Sequence, residues 1–244
     1  MMGRWNLSVG QIRTAVLTLL LCGLVAASPS EAGTLTVSPT RVTLDAAGRA
    51  EVVKLKNPGQ HASFVEVKVF AWVDAADHTA LEPTQELLVV PPIFEIDPDT
   101  TQVIRLALRR PLDLDGERNY RLLIKEVPRQ VGDGAQGLTF ALQFSLPVFV
   151  KPDGAAADPA WSTRGDQIVL LNRGNAHIRL ESLSLFAPDG AEPIFSTDQG
   201  GYLFGGEERS WPLELDTAQP NTPLTLKAET NLGPLETTVS WPEG

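Results

Sequence analysis

From Gly137 to Pro152 the chain reads GLTFALQFSLPVFVKP, with an apolar side chain at every even position: Leu138, Phe140, Leu142, Phe144, Leu146, Val148 and Val150. The odd positions, from Thr139 to Lys151, are mostly polar, with Phe149 the main exception. Successive side chains of a strand point to opposite faces, so the alternation specifies one long ribbon with a greasy face. At about 3.3 Å per residue it would extend roughly 45 Å, well past a usual strand of five or six residues.

The same period of two recurs along the chain. TLTVSPTRVTLD is extended and broken by Pro39, AEVVKLKNPGQ ends in an Asn57-Pro58-Gly59 turn, and SFVEVKVFAWV alternates up to Val73. QELLVVPPIFEID carries Pro91-Pro92, and TTQVIRLAL and NYRLLIKEVP alternate again. Further on, QIVLLNRG, IRLESLSLFA, RSWPLELD, TPLTLKAET and LETTVSW continue the series. Such spacing predicts an all-β protein. The stretch PDGAAADPA reads as a linker, which divides the chain into two tandem immunoglobulin-like β-sandwich domains, residues 33–152 and 161–244, joined by 153–160. A single larger barrel is the alternative.

Residues 1–32 have the layout of an export signal: Arg4 and Arg13, an uncharged run from Ala15 to Ala27, then small-residue sites. The run is too short for a good membrane span, and Leu21 is too bulky for lipoprotein cleavage at Cys22, the single cysteine. The mature chain is therefore expected in an exported, soluble state without disulfides, held by ordinary cores. The full chain has 20 basic and 30 acidic side chains; without Arg4, Arg13 and Glu31 these become 18 and 29, a net charge of −11. That balance argues against nucleic acid or an anionic membrane surface as partner.

No constellation for catalysis emerges. His61, His78 and His177 lie far apart and read as solvated loop residues, with no zinc-ligand spacing. Neither a G-x-S-x-G elbow nor a phosphate-binding glycine loop occurs. Gly200-Gly201 and Gly205-Gly206 read as turns, and Asp97, Asp99, Asp113 and Asp115 as solvated turn residues lacking the calcium-loop pattern. The expectation is a non-enzyme with no metal and no cofactor. Trp161, Tyr202, Phe204 and Trp211 fit core packing, or loops that grip a sugar or peptide.

An uncharged, proline-free apolar segment such as Gly137 to Ser145 invites pairing with another chain unless something covers it. Here the sequence resembles a family. VSPTRVTL, NPG, VVPPIFEIDP, NYRLLIKEVP and LTFALQFSLPVFVKP together resemble PapD-like periplasmic chaperones of the chaperone–usher pilus pathway, particularly its archaic branch. The resemblance implies a periplasmic protein that lends its seventh strand to pilus subunits with incomplete immunoglobulin folds and delivers them to an outer-membrane usher. Leu138, Phe140, Leu142 and Phe144 match the donor side chains. The family also anchors the subunit's C-terminal carboxylate with two basic residues in the cleft between domains. Arg41 matches the first, but Pro147 stands where the second, a lysine, is expected. Arg121 or Lys125 would supply the missing charge, and the Tyr120-Arg121 pair favours Arg121. Glu117 and Lys151 match two members of an interdomain salt bridge whose third position falls near uncharged Asn231. A cis peptide is implied before Pro91. The rival classes are an exported two-domain structural subunit and a sugar- or peptide-binding module.

Overall fold

Every regular element is a strand in the computed structural model, which describes residues 35–128, 141–188, 190–213 and 222–240. The alternating segments pair as the pattern requires. In chain order they are β1 (Thr36–Ser38), β2 (Val42–Asp45), β3 (Glu51–Lys56), β4 (Ser63–Trp72), β5 (Leu81–Pro83), β6 (Leu87–Val90), β7 (Ile93–Ile96), β8 (Thr101–Leu108), β9 (Arg118–Val127) and β10 (Gln143–Lys151). One sheet runs β1-β3-β8-β6, and the facing sheet runs β2-β10-β9-β4-β5, with β7 also on β4. Strand β2 pairs parallel to β10, while β9 flanks β10 antiparallel. Between β1 and β2 the chain changes sheets at Pro39, where the Ser38–Pro39 peptide is cis; Val90–Pro91 is cis as expected.

Between these sheets the apolar parity is buried almost completely. Leu44, Val53, Leu55, Ile104, Leu106, Leu122, Ile124, Val148 and Val150 are all at zero exposure. Each such side chain is worth about 1.5–3 kcal/mol against an exposed reference, offset by the entropy of ordering the chain.

The second half repeats the arrangement with β11 (Pro159–Arg164), β12 (Gln167–Asn172), β13 (Ile178–Phe186), β14 (Pro193–Thr197), β15 (Gly201–Leu203), β16 (Glu208–Pro212), β17 (Pro223–Thr230) and β18 (Gly233–Ser240). Sheet β11-β12-β16 faces sheet β14-β13-β17-β18, on which β15 joins β13. Among the described residues, four separate sheets with two cores make two tandem immunoglobulin-like sandwiches, not one barrel. Gly201, expected in a turn, opens β15 instead, because Gly201 pairs with Leu180 of β13. No helix among the described residues is long and apolar enough to cross a membrane.

A third apolar cluster lies between the sandwiches. Trp72, Ala75 and Phe149 of the first meet Tyr202 and Phe204 of the second. Trp161 and Trp211 go instead to the second core, their rings 6.0 Å apart. The four aromatics considered for ligand-gripping loops thus all pack against protein.

Candidate functional site

Odd-numbered residues of β10 face away from the first core, and one of them, Phe149, packs against the second domain. Ladder register decides what surrounds them. Pro147 pairs with Arg121 of β9, which pairs with Phe70 of β4. On the other side Val148 pairs with Val42, so Arg41 stands beside Pro147. Arg41 and Arg121 therefore flank Pro147 on one rung, two strand spacings or about 10 Å apart along the backbone. On the next rung lie Thr43, Phe149 and Asn119.

Arg121 is 8% exposed. Its guanidinium carbon lies 3.6 Å over the Trp72 ring and 6.0 Å from that of Tyr202. Nη1 donates to the Ser145 carbonyl at 3.4 Å, and the buried Nε has no partner. Desolvation pulls its pKa below the ordinary arginine value, partly countered by Tyr202. Among the described residues no carboxylate pairs with it. Burying an unpaired cation costs several kcal/mol, and a desolvated cation–π contact returns about 2. The balance leaves the position short of an anion.

Lys125 shares the face of Arg121 but is four residues further along β9, about 13 Å away. It is exposed, opposite Gln143 and Glu66. Face therefore does not separate the two candidates; distance from Arg41 does.

Where the domains touch, Glu117 Oε1 lies 2.7 Å from the ring Nδ1 of His177 and accepts its backbone N–H at 3.2 Å. These side chains are 3% and 10% exposed. The imidazole stacks on Phe149 at 3.7 Å between centroids. His177 is thus not a solvated loop histidine: it follows the turn into β13 and is covered by the first domain. Nor does Glu117 pair with Lys151, as matching the interdomain bridge suggested. Lys151 stays exposed, while a flat imidazole can both stack on Phe149 and reach the carboxylate. Asn175 adds two bonds at the same junction, donating from Nδ2 to the Asp115 carbonyl and accepting from the Glu117 N–H. Arg41, Thr43, Glu117, Lys151, His177 and Asn231 border one cavity of about 180 Å3 here. His177→Ala should destabilise the protein by about 2–3 kcal/mol in urea unfolding, since it strips a buried carboxylate of its ring partner. Adding Glu117→Gln to that variant should recover part of the loss.

Along the other half of β10 a different property appears. From Gln143 to Pro147 the described strands pair with it on the β9 side only, because β2 joins at Val148. Pairing with β9 extends one residue outward, where the Glu126 N–H donates to the Leu142 carbonyl at 2.8 Å. The opposite edge of this stretch presents backbone groups that another strand can use. Leu142 is half-buried, and Phe144 packs partly against the first core. Leu138 and Phe140 lie outside the described residues.

Sequence reasoning missed Trp72, His177 and Tyr202 as parts of one junction. The single available signal was Phe149, an apolar residue on the polar parity of the long strand.

Comparisons with known proteins agree with this architecture. A family model for pili and flagellar-assembly chaperones, PapD N-terminal domain, matches residues 34–156. The chain is 25% identical over 158 residues to the probable fimbrial chaperone LpfB of Escherichia coli O157:H7, covering 64% of each protein. It is 26% identical over 167 residues to the chaperone protein FimB/FhaD of Bordetella pertussis, covering 65% of each. It thus spans just under two thirds of the length of these relatives. Among solved structures, the CsuC–CsuE chaperone–tip adhesion subunit pre-assembly complex from archaic chaperone–usher Csu pili of Acinetobacter baumannii contains a chain of the same fold. The TM-score is 0.61 at 19% identity, over 86% of this chain and 100% of that one. With half of its length matched by the family model, the chain belongs to the pili and flagellar-assembly chaperones with a PapD N-terminal domain.

Proposed function

We propose that this protein is a periplasmic, non-enzymatic chaperone that caps pilus subunits by lending them strand β10 and hands them to an outer-membrane usher. The observation that carries this reading is the one-sided pairing of β10 from Gln143 to Pro147, continuous with the apolar parity Leu138, Phe140, Leu142 and Phe144. A subunit lacking its last strand would gain ladder hydrogen bonds from that edge, and groove-filling side chains from that parity. No hydrolysis is needed to pass it on, because one donor strand can be exchanged for another.

The subunit's C-terminal carboxylate is assigned to Arg41 and Arg121, with Arg121 in the role that a lysine at the position of Pro147 would have. Their shared rung and the missing counter-charge at Arg121 support this pair over Lys125. The Tyr120-Arg121 pair supports membership of the archaic branch. We place the export signal at 1–32, the chaperone domain at 33–152, the linker at 153–160 and the second domain at 161–244.

The test is co-expression with the small exported proteins encoded beside it, followed by purification from the periplasm. The protein should bring down one such protein in equimolar amount. A folded protein that comes down alone from every such pairing would overturn the proposal.

A further inference from the structure

The geometry points to Trp72 and Tyr202 as positioning residues for Arg121, so that the second domain sets the orientation in which the anchor meets a partner's carboxylate. The inference rests on the reading of Arg121 as part of that anchor.

An arginine carries a long stem and five N–H donors, and it recognises a carboxylate best when its plane is held and two donors project in parallel. Hydrogen bonds do little to hold this plane: Nη1 has one long bond to the Ser145 carbonyl, and Nε has none. The holding contact is the indole of Trp72, whose strand neighbours β9 and whose side chain shares the face of Arg121. Its ring lies 3.6 Å beneath the guanidinium.

Trp72 is in turn fixed from two directions. Within the first domain Nε1 donates to the Asp77 carbonyl at 3.0 Å. From the second domain Tyr202 and Phe204 meet the indole edge-on, at 5.3 Å and 4.8 Å between centroids. Tyr202 also touches the Phe149–His177 stack, at 5.5 Å from each ring. A continuous series of ring contacts thus runs from the interdomain Glu117–His177 pair to the guanidinium. Loosening Tyr202 frees the indole, and a freed indole lets the arginine plane swing away from its carboxylate-binding orientation.

The test uses the full mature protein and two short synthetic peptides of one alternating valine–threonine sequence, ending in a free carboxylate or a carboxamide. Affinities are read by titration calorimetry. The protein should prefer the acid about tenfold, and Arg121→Gln should bring the two peptides level. Trp72→Leu and Tyr202→Leu should cut the preference to about threefold or less without weakening the amide peptide, whereas Trp72→Phe and Tyr202→Phe should keep it. A residue that merely fills space would leave the acid-to-amide ratio unchanged. Should Trp72→Leu fail to fold, the less buried Tyr202→Leu decides alone. If Arg121→Gln removes the preference but the folded leucine variants retain it, the positioning role is wrong. If Arg121→Gln leaves the preference intact, or the wild type shows none, the anchor reading falls, and this inference with it.

Discussion

Changing Leu138, Phe140 and Leu142 together to aspartate should abolish the proposed capture of a pilus subunit while leaving the protein folded. Each such side chain buried in a partner's groove is worth about 1.5–3 kcal/mol, so losing three removes roughly 5–9 kcal/mol, more than three orders of magnitude in affinity. The three aspartates also place charge where the groove is apolar, which adds to the loss. Selectivity follows from position. Leu142 lies before β10 and outside the first core cluster, so its replacement leaves Leu146, Val148 and Val150 in place. Phe144 differs because it packs partly on that core, and Phe144→Ala should cost about 2 kcal/mol of the protein's own stability. Co-purification with a subunit and urea unfolding of each variant separate the two effects. A folded triple variant that still holds its subunit would mean that the strand is not lent.

Asn172→Ala should lower the stability of the second domain by about 3–5 kcal/mol, a large loss for a residue that touches no partner. Asn172 is wholly buried at the end of β12. Its amide donates to the carbonyls of Ala176, Leu203 and Phe204, while its oxygen accepts the N–H groups of Asp158 and Gly174. Truncation removes all five bonds. The Phe204 carbonyl keeps the Glu207 N–H and the two N–H groups are only part-buried, so the loss falls mainly on the Ala176 and Leu203 carbonyls. Each orphaned buried group costs about 1–3 kcal/mol before relaxation. The turn tolerates little compensation, since a Cβ on Gly174 would sit 2.2 Å from the Ala156 carbonyl oxygen. Asn57 plays the same part on a smaller scale in the first domain. It donates to the carbonyls of His61 and Ile96 and accepts from the Gly59 N–H, so Asn57→Ala should cost about 2–3 kcal/mol. Equilibrium urea unfolding measures both. A loss under about 1 kcal/mol at Asn172 would show that water replaces the amide.

The parts of this protein legible in its sequence are those governed by local periodicity. Strand β10 was readable because side chains alternate whatever the strand packs against, and Leu146, Val148 and Val150 are accordingly buried to 3% exposure or less. The same rule applied to β3, β8, β9, β12, β13 and β17, and it implied the sandwich class. Short strands without a full alternating period, such as β14 and β15, escaped it. Arg41 was singled out through the family motif and Arg121 through its Tyr-Arg pair, but that they flank Pro147 depended on the register of β10 against two strands whose facing residues lie about 25 and 105 positions away in sequence. The domain junction was least legible. Trp72, His177 and Tyr202 look like an ordinary strand aromatic, a loop histidine and a turn aromatic until the second sandwich is laid against the first. Periodicity reports which face of a strand is apolar. Only tertiary packing decides that the nominally polar face of β10, through Phe149, has a second core of its own, and that a buried arginine lies at its edge.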